Sequence, residues 1–110
     1  MIAVYVQDDE AVDFTPNADV LPGDVIVQGD LIGIAVRDIR ANTPGALLVE
    51  GIFDVPKTAG AGTAIASGTK VYWDTVNKVA TATAGALKLL GKTTLATADS
   101  DTTVRVRLMQ

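Results

Sequence analysis

Short runs of aliphatic and β-branched residues, broken every few positions by Gly, Pro, Asn or Asp, fill this chain, and almost nothing repeats at helical spacing. Candidate strands fall at 2–6, 11–15, 25–28, 31–37, 47–55, 70–74, 78–83, 87–94 and 103–109. So many short strands at near-regular spacing predict an all-β fold, a compact barrel-like or sandwich domain of mostly antiparallel strands. The pairs Gly23-Asp24 and Gly29-Asp30 each precede an apolar run. Gly there supplies a turn conformation and Asp a backbone acceptor, so both read as strand entries. Ser and Thr beside the Ala-rich stretch near Ala64 allow at most one short helix, because the flanking glycines oppose a longer one.

The clearest local unit is KVYWDTVNKVAT, residues 70–81. A period of two puts Val71 and Trp73 on one strand face and Lys70, Tyr72 and Asp74 on the other, so Val71 and Trp73 are the predicted structural core. Thr75, Val76 and Asn77 form the expected turn, with Asn77 as the left-handed residue and Lys78 opening the return strand. A lone Trp on a short strand reads as packing rather than as a stacking platform for a base.

Composition then removes whole classes of function. The chain has 110 residues, enough for a single domain; an acidic arm or first strands over 1–19 and one β-domain over 20–110 are the expected divisions. Cys and His are both absent, which excludes disulfides, thiolate catalysis and the commonest transition-metal ligand and neutral-pH base. A net charge of −4 repels a phosphate backbone, so nucleic acid is not an expected partner. The N-terminus lacks the basic and apolar segments of a secretory leader, and no apolar run approaches the ~18 residues of a membrane span. Synthesis in the cytoplasm and no membrane contact are the expectations. Hydrophobic residues nonetheless make up 48%, mostly Ala and Val, with a mean hydropathy of +0.31, an excess that other subunits would cover.

No motif carries chemistry. In GTAIASGTK the Gly-Lys-Thr order of a phosphate loop is broken, and around Gly91-Lys92-Thr93 the bulky Leu87-Lys88-Leu89-Leu90 replaces the small residues a phosphate cradle needs. A strand passing through a glycine bulge is the alternative for the second stretch. Eight of the thirteen acidic residues lie in 1–38 against one basic residue, Arg37. Asp8-Asp9-Glu10 in extended chain would point to alternate faces and cannot all chelate one ion, and an acid/base pair among Asp54, Asp74, Asp99 and Asp101 is open to the folded chain, although nothing in their spacing shows that any two meet. No catalytic, cofactor-binding or metal-binding residue is assigned, and no cofactor or small-molecule substrate is expected. The alternation of Ile2, Ala3, Val4, Tyr5 and Val6, followed by that acidic cluster, predicts a short edge strand that pairs with another chain. A strand of the protein's own sheet is the competing reading.

The order PGDVIVQGDLIGIAV (22–36), VEGIFDVPK (49–57), SGTKVYWD (67–74), NKVATAT (77–83), LLGK (89–92) and VRVRL (104–108) resembles the capsid cement, or head decoration, proteins of tailed bacteriophages. Members of that family are often labelled predicted recombinases. The resemblance covers roughly residues 20–110, with EGxFDxPK and VYWD its most specific elements together. It implies a homotrimeric β-domain on the outside of the expanded capsid in the virion, partnered by itself and the major capsid protein, with no enzymatic activity. A recombination-related nucleic-acid-binding protein would need a phosphate loop or a basic aromatic groove, and the nearest positive cluster is Arg105 and Arg107 on one strand face. A small β-barrel binding module of a cytoplasmic complex is the other alternative.

Overall fold

The computed structural model describes residues 11–109. All of its regular structure is β: β1 (Ala11–Phe14), β2 (Val25–Gln28), β3 (Leu31–Ile34), β4 (Gly45–Leu48), β5 (Gly51–Pro56), β6 (Lys70–Asp74), β7 (Val79–Thr81), β8 (Lys88–Thr93) and β9 (Thr103–Leu108). The all-β expectation holds, and no helix occurs among the described residues. The predicted strand over 2–6 lies outside the described residues.

Two compact units share the chain: residues 11–26 with Gly33–Glu50 form one, and Val27–Ile32 with 51–109 form the other. The strands of the first belong to a four-stranded sheet in the order β1-β4-β3-β2. Ala11, Val12, Asp13 and Phe14 pair antiparallel with Leu48, Leu47, Ala46 and Gly45. Its core is Val20, Ala35, Ile39 and Leu47, with Val12, Phe14 and Ile26 packed against them. Gly33 is required by this packing, since a Cβ there would lie 2.7 Å from the Leu47 Cβ. The predicted strand over 31–37 stops at Ile34 because Ala35 turns to the preceding loop: its amide donates to the Asp24 carbonyl and its carbonyl accepts from Gly23.

The second unit holds a five-stranded sheet, β5-β9-β8-β6-β7, whose ladders are all antiparallel. Its edge strands meet only at one parallel bridge, Lys57 to Ala80, so this sheet does not close into a barrel. β9 shows why the sequence folds this way: Val104, Val106 and Leu108 are buried while Thr103, Arg105 and Arg107 face out, a strict period of two. The predicted strand over 47–55 is two strands, interrupted at Val49 and Glu50 and resumed at Gly51, whose φ of 127° few other residues adopt.

One local expectation is corrected. In the 70–81 hairpin the left-handed residue is Lys78 (φ 58°), not Asn77. Asp74 explains the shift: its Oδ1 accepts from the amides of Val76 and Asn77, its Oδ2 from Asn77 Nδ2, and its carbonyl from the Lys78 amide. Asn77 is thereby held inside the turn and the reversal falls one residue later. Near Ala64 no helical turn forms, because the Ala64 amide donates to Asp99 Oδ1 and Ile65 bridges to Thr97 across the chain.

Candidate functional site

The motif residues provide the natural starting point, and the second unit gathers most of them. Val71 and Trp73 point into its core, fully and almost fully buried, as the period of two predicts. Tyr72 is half-buried on the opposite face. In the EGxFDxPK element, Asp54 of β5 receives a two-pronged hydrogen bond from Arg105 of β9, at 2.9 Å from Nε and 3.2 Å from the guanidinium terminus. That contact holds the Asp54 carboxyl below its ordinary pKa and raises the guanidinium's. Both side chains are half exposed, so the pair fixes register across the two strands more than it adds stability.

Lys57, which ends the same element, is the one buried charge among the described residues, at 5% exposure. Its ammonium donates to the carbonyls of Thr58 (2.9 Å), Asp101 (3.1 Å) and Ala98 (3.3 Å) and to Thr63 Oγ1 (3.1 Å). Thr63 Oγ1 passes its own proton toward the carbonyls of Gly60 and Asp99. The Asp99 carboxylate accepts from the amides of Ala64, Gly62 and Thr63, which hold its pKa below the ordinary value with further help from the Lys57 charge. Loops 58–64 and 98–101 are therefore tied at one point by a cation and an anion pointing into backbone. The sequence reading did not single out Lys57. Its signal was available: Phe53, Val55 and Lys57 share a parity, and Val55 is buried.

The LLGK element has a packing role. Leu90 is the extra residue where the β6–β8 register shifts, since Val71 pairs with Gly91 and Tyr72 with Leu89. Gly91 faces the β9 backbone so closely that a Cβ would lie 2.0 Å from the Arg107 carbonyl oxygen. The stretch is a strand with a bulge, as the alternative reading had it, but the bulged residue is Leu90 and not the glycine beside it, and Gly91-Lys92-Thr93 lies in the paired strand. Thr93 Oγ1 donates to the Ala66 carbonyl and accepts from the Thr69 amide, so its hydroxyl is spent on neighbouring backbone.

The four carboxylates weighed as acid and base are held apart by separate duties. Asp54 pairs with Arg105, Asp74 caps its own turn, Asp99 binds the 62–64 amides and Asp101 accepts from the Ala98 amide. No group of three or more acidic residues is placed to hold a metal ion among the described residues. An open groove of about 230 Å³ in the second unit is lined by Lys57, Thr63, Ile65, Ala80 and Thr81, and one of about 530 Å³ in the first by Asp13, Val36, Arg37, Ile39 and Pro44. Neither brings together a nucleophile and a base. Arg105 and Arg107 do share the exposed face of β9, and Arg105 is already neutralised by Asp54. The candidate edge strand Ile2, Ala3, Val4, Tyr5 and Val6, and the acidic cluster Asp8-Asp9-Glu10, lie outside the described residues.

The geometry thus spends the motif positions on holding strands and loops together. Comparison with known proteins agrees with that picture. No curated protein and no solved structure matches the chain, whereas the family model described as phage cement protein matches residues 6–108. The match reaches further toward the N-terminus than the motifs alone, which began near residue 20. With nearly the whole chain covered and its motif residues accounted for as structure, this protein belongs to the phage cement protein family, structural proteins of the phage capsid.

Proposed function

We propose that this protein binds the outside of the expanded capsid as a homotrimer, bridges neighbouring major capsid subunits and stabilises the shell without catalysing a reaction. The observation that carries the reading is the family match over residues 6–108, on a chain whose motif residues serve internal contacts. The duties of Asp54, Asp74, Asp99 and Asp101 support a passive role, since each carboxylate is committed to a strand, turn or loop. Cement action follows from linkage. A ligand that binds the expanded shell and not the unexpanded one stabilises it by about 2.7 kcal/mol per site at a hundred times its dissociation constant, and a shell offers many sites. Residues Ile2 to Val6 serve in this reading as an edge strand on a neighbouring subunit or on the capsid.

The test is sedimentation of the purified protein with empty expanded heads and with unexpanded ones, followed by heating of the decorated heads. Binding confined to expanded heads, with a higher disruption temperature, is the expected result. Failure to bind expanded heads, or equal binding to both forms, overturns the reading.

A further inference from the structure

The outer face of the five-stranded sheet carries a row of like charges that the fold leaves unbalanced. Lys70 on β6 lies opposite Lys92 on β8, Lys92 opposite Arg107 on β9, and Arg107 opposite Ile52 on β5. All four are exposed, Ile52 to 60%. Cationic side chains directly opposite one another across strands are unfavourable, and here two such pairs are consecutive. The two ion pairs of the described residues, Lys88–Asp30 and Arg105–Asp54, involve none of the three. The row reads, along about 14 Å at the usual strand spacing, apolar, basic, basic, basic.

Charge is also segregated along the chain. Residues 1–50 hold nine acidic and two basic residues, and residues 51–110 hold four acidic and seven basic. An acidic segment of one copy and a basic row of another are complementary in charge, and a contact between two different patches of identical chains is heterologous, the kind that can close into rings. The acidic portion contains a segment whose pattern matches the row. In extended chain Val6, Asp8 and Glu10 share one face at about 6.7 Å intervals, reading apolar, acidic, acidic over about 13 Å.

We propose that the row Ile52–Arg107–Lys92–Lys70 is the seat for residues 6–10 of a second copy of this chain, with Val6 against Ile52 and the carboxylates of Asp8 and Glu10 among Arg107, Lys92 and Lys70. The seat rests on the self-association included in the proposed function and gives it a contact. Rim charges of this kind set orientation and speed of encounter, and a crossing acidic segment relieves the repulsion within the row.

The experiment mixes ¹⁵N-labelled and unlabelled full-length protein and joins carboxylates to lysines with a zero-length carbodiimide cross-linker. Mixed-isotope products linking the peptide containing Asp8 to Glu10 with Lys92 or Lys70 are expected, and they should fade in about 0.5 M salt, where screening acts within a few ångströms. Products joining only same-isotope peptides, or none, overturn the seat. In parallel, K70E/K92E/R107E should weaken self-association about ten-fold or more while keeping its melting temperature, and adding D8K/D9K/E10K to it should restore association. If the triple reversal unfolds, K92E alone carries the same readout. Unchanged association of the reversed chain, or no rescue, also overturns the proposal. A reversed chain that still associates but no longer binds expanded heads assigns the row to the capsid instead. A wild-type chain that associates through the row yet ignores heads overturns the cement reading alone.

Discussion

Replacing Lys57 by Met keeps the length and apolar stem of the side chain and removes only the ammonium, which makes it a clean probe of the loop tie. In the native protein three protons serve four oxygens between 2.9 and 3.3 Å away. Hydrogen bonds from a charged donor contribute about 1.5–3 kcal/mol each, and buried acceptors left without a donor cost about 1–3 kcal/mol. These terms do not simply add. Thr58, Ala98 and Asp101 are exposed residues, so water reaches part of what the ammonium leaves, and Thr63 Oγ1 keeps its bonds to Gly60 and Asp99. Removing the cation also recovers the cost of desolvating it. A net loss of about 3 kcal/mol is expected, which for a chain of this size lowers the melting temperature by about 12 °C or more. Lys57→Arg separates charge from geometry: a planar guanidinium fork does not reproduce a tripod of protons aimed at three carbonyls and a hydroxyl, so it should recover less than about 1 kcal/mol. Calorimetric unfolding of the three proteins decides. If the Met variant melts within about 2 °C of wild type, the tie is not a stabilising feature; if Arg restores full stability, charge and not directed hydrogen bonding is what the site requires.

Trp73→Ala should cost about 3–5 kcal/mol, because the ring is almost wholly buried; a variant that keeps its melting temperature and loses head binding would move Trp73 into an interface. Gly91→Ala should destabilise by about 3 kcal/mol or prevent folding, since its new methyl would meet β9 backbone and not a side chain that can turn away; a melting temperature equal to wild type would refute the close approach. Asp54, Asp74 and Asp99 all have pKa values lowered from 3.8 by Arg105, by Asn77 and by the Ala64 amide respectively. Their stabilising contribution is therefore present above that value and is lost as pH falls through the lower folded values, so Asp99→Asn should flatten the stability profile below about pH 4, and an unchanged acid limb would count against the assignment. Deleting residues 1–6 should leave the melting temperature in place and abolish trimer formation or head affinity if Ile2 to Val6 form an intermolecular strand; unfolding, or no change at all, contradicts it.

What the sequence determined by itself was local and periodic. The 25–28 and 70–74 strands match β2 and β6 residue for residue, and the inward placement of Val71 and Trp73 followed from a period of two because side chains on a strand alternate faces whatever the partner strand is. The cement family was legible in the same way, through short elements such as EGxFDxPK and VYWD, and the match over 6–108 bears it out. Tertiary structure decided the matters that depend on which residues meet. Lys57 reads as one more surface lysine until loops 58–64 and 98–101 close around it, some forty residues apart in sequence for Ala98 and Asp101. The Lys70–Lys92–Arg107 row likewise has no trace along the chain, because it exists only once the β6–β8 register shift and the β8–β9 pairing align three separate strands. Even the left-handed residue of the 75–78 turn moved by one position once Asp74 engaged Asn77. Side-chain alternation is a property of one strand, whereas register, loop ties and charge rows are properties of pairs, and the hydrogen bonds that fix them come from residues far apart in the chain.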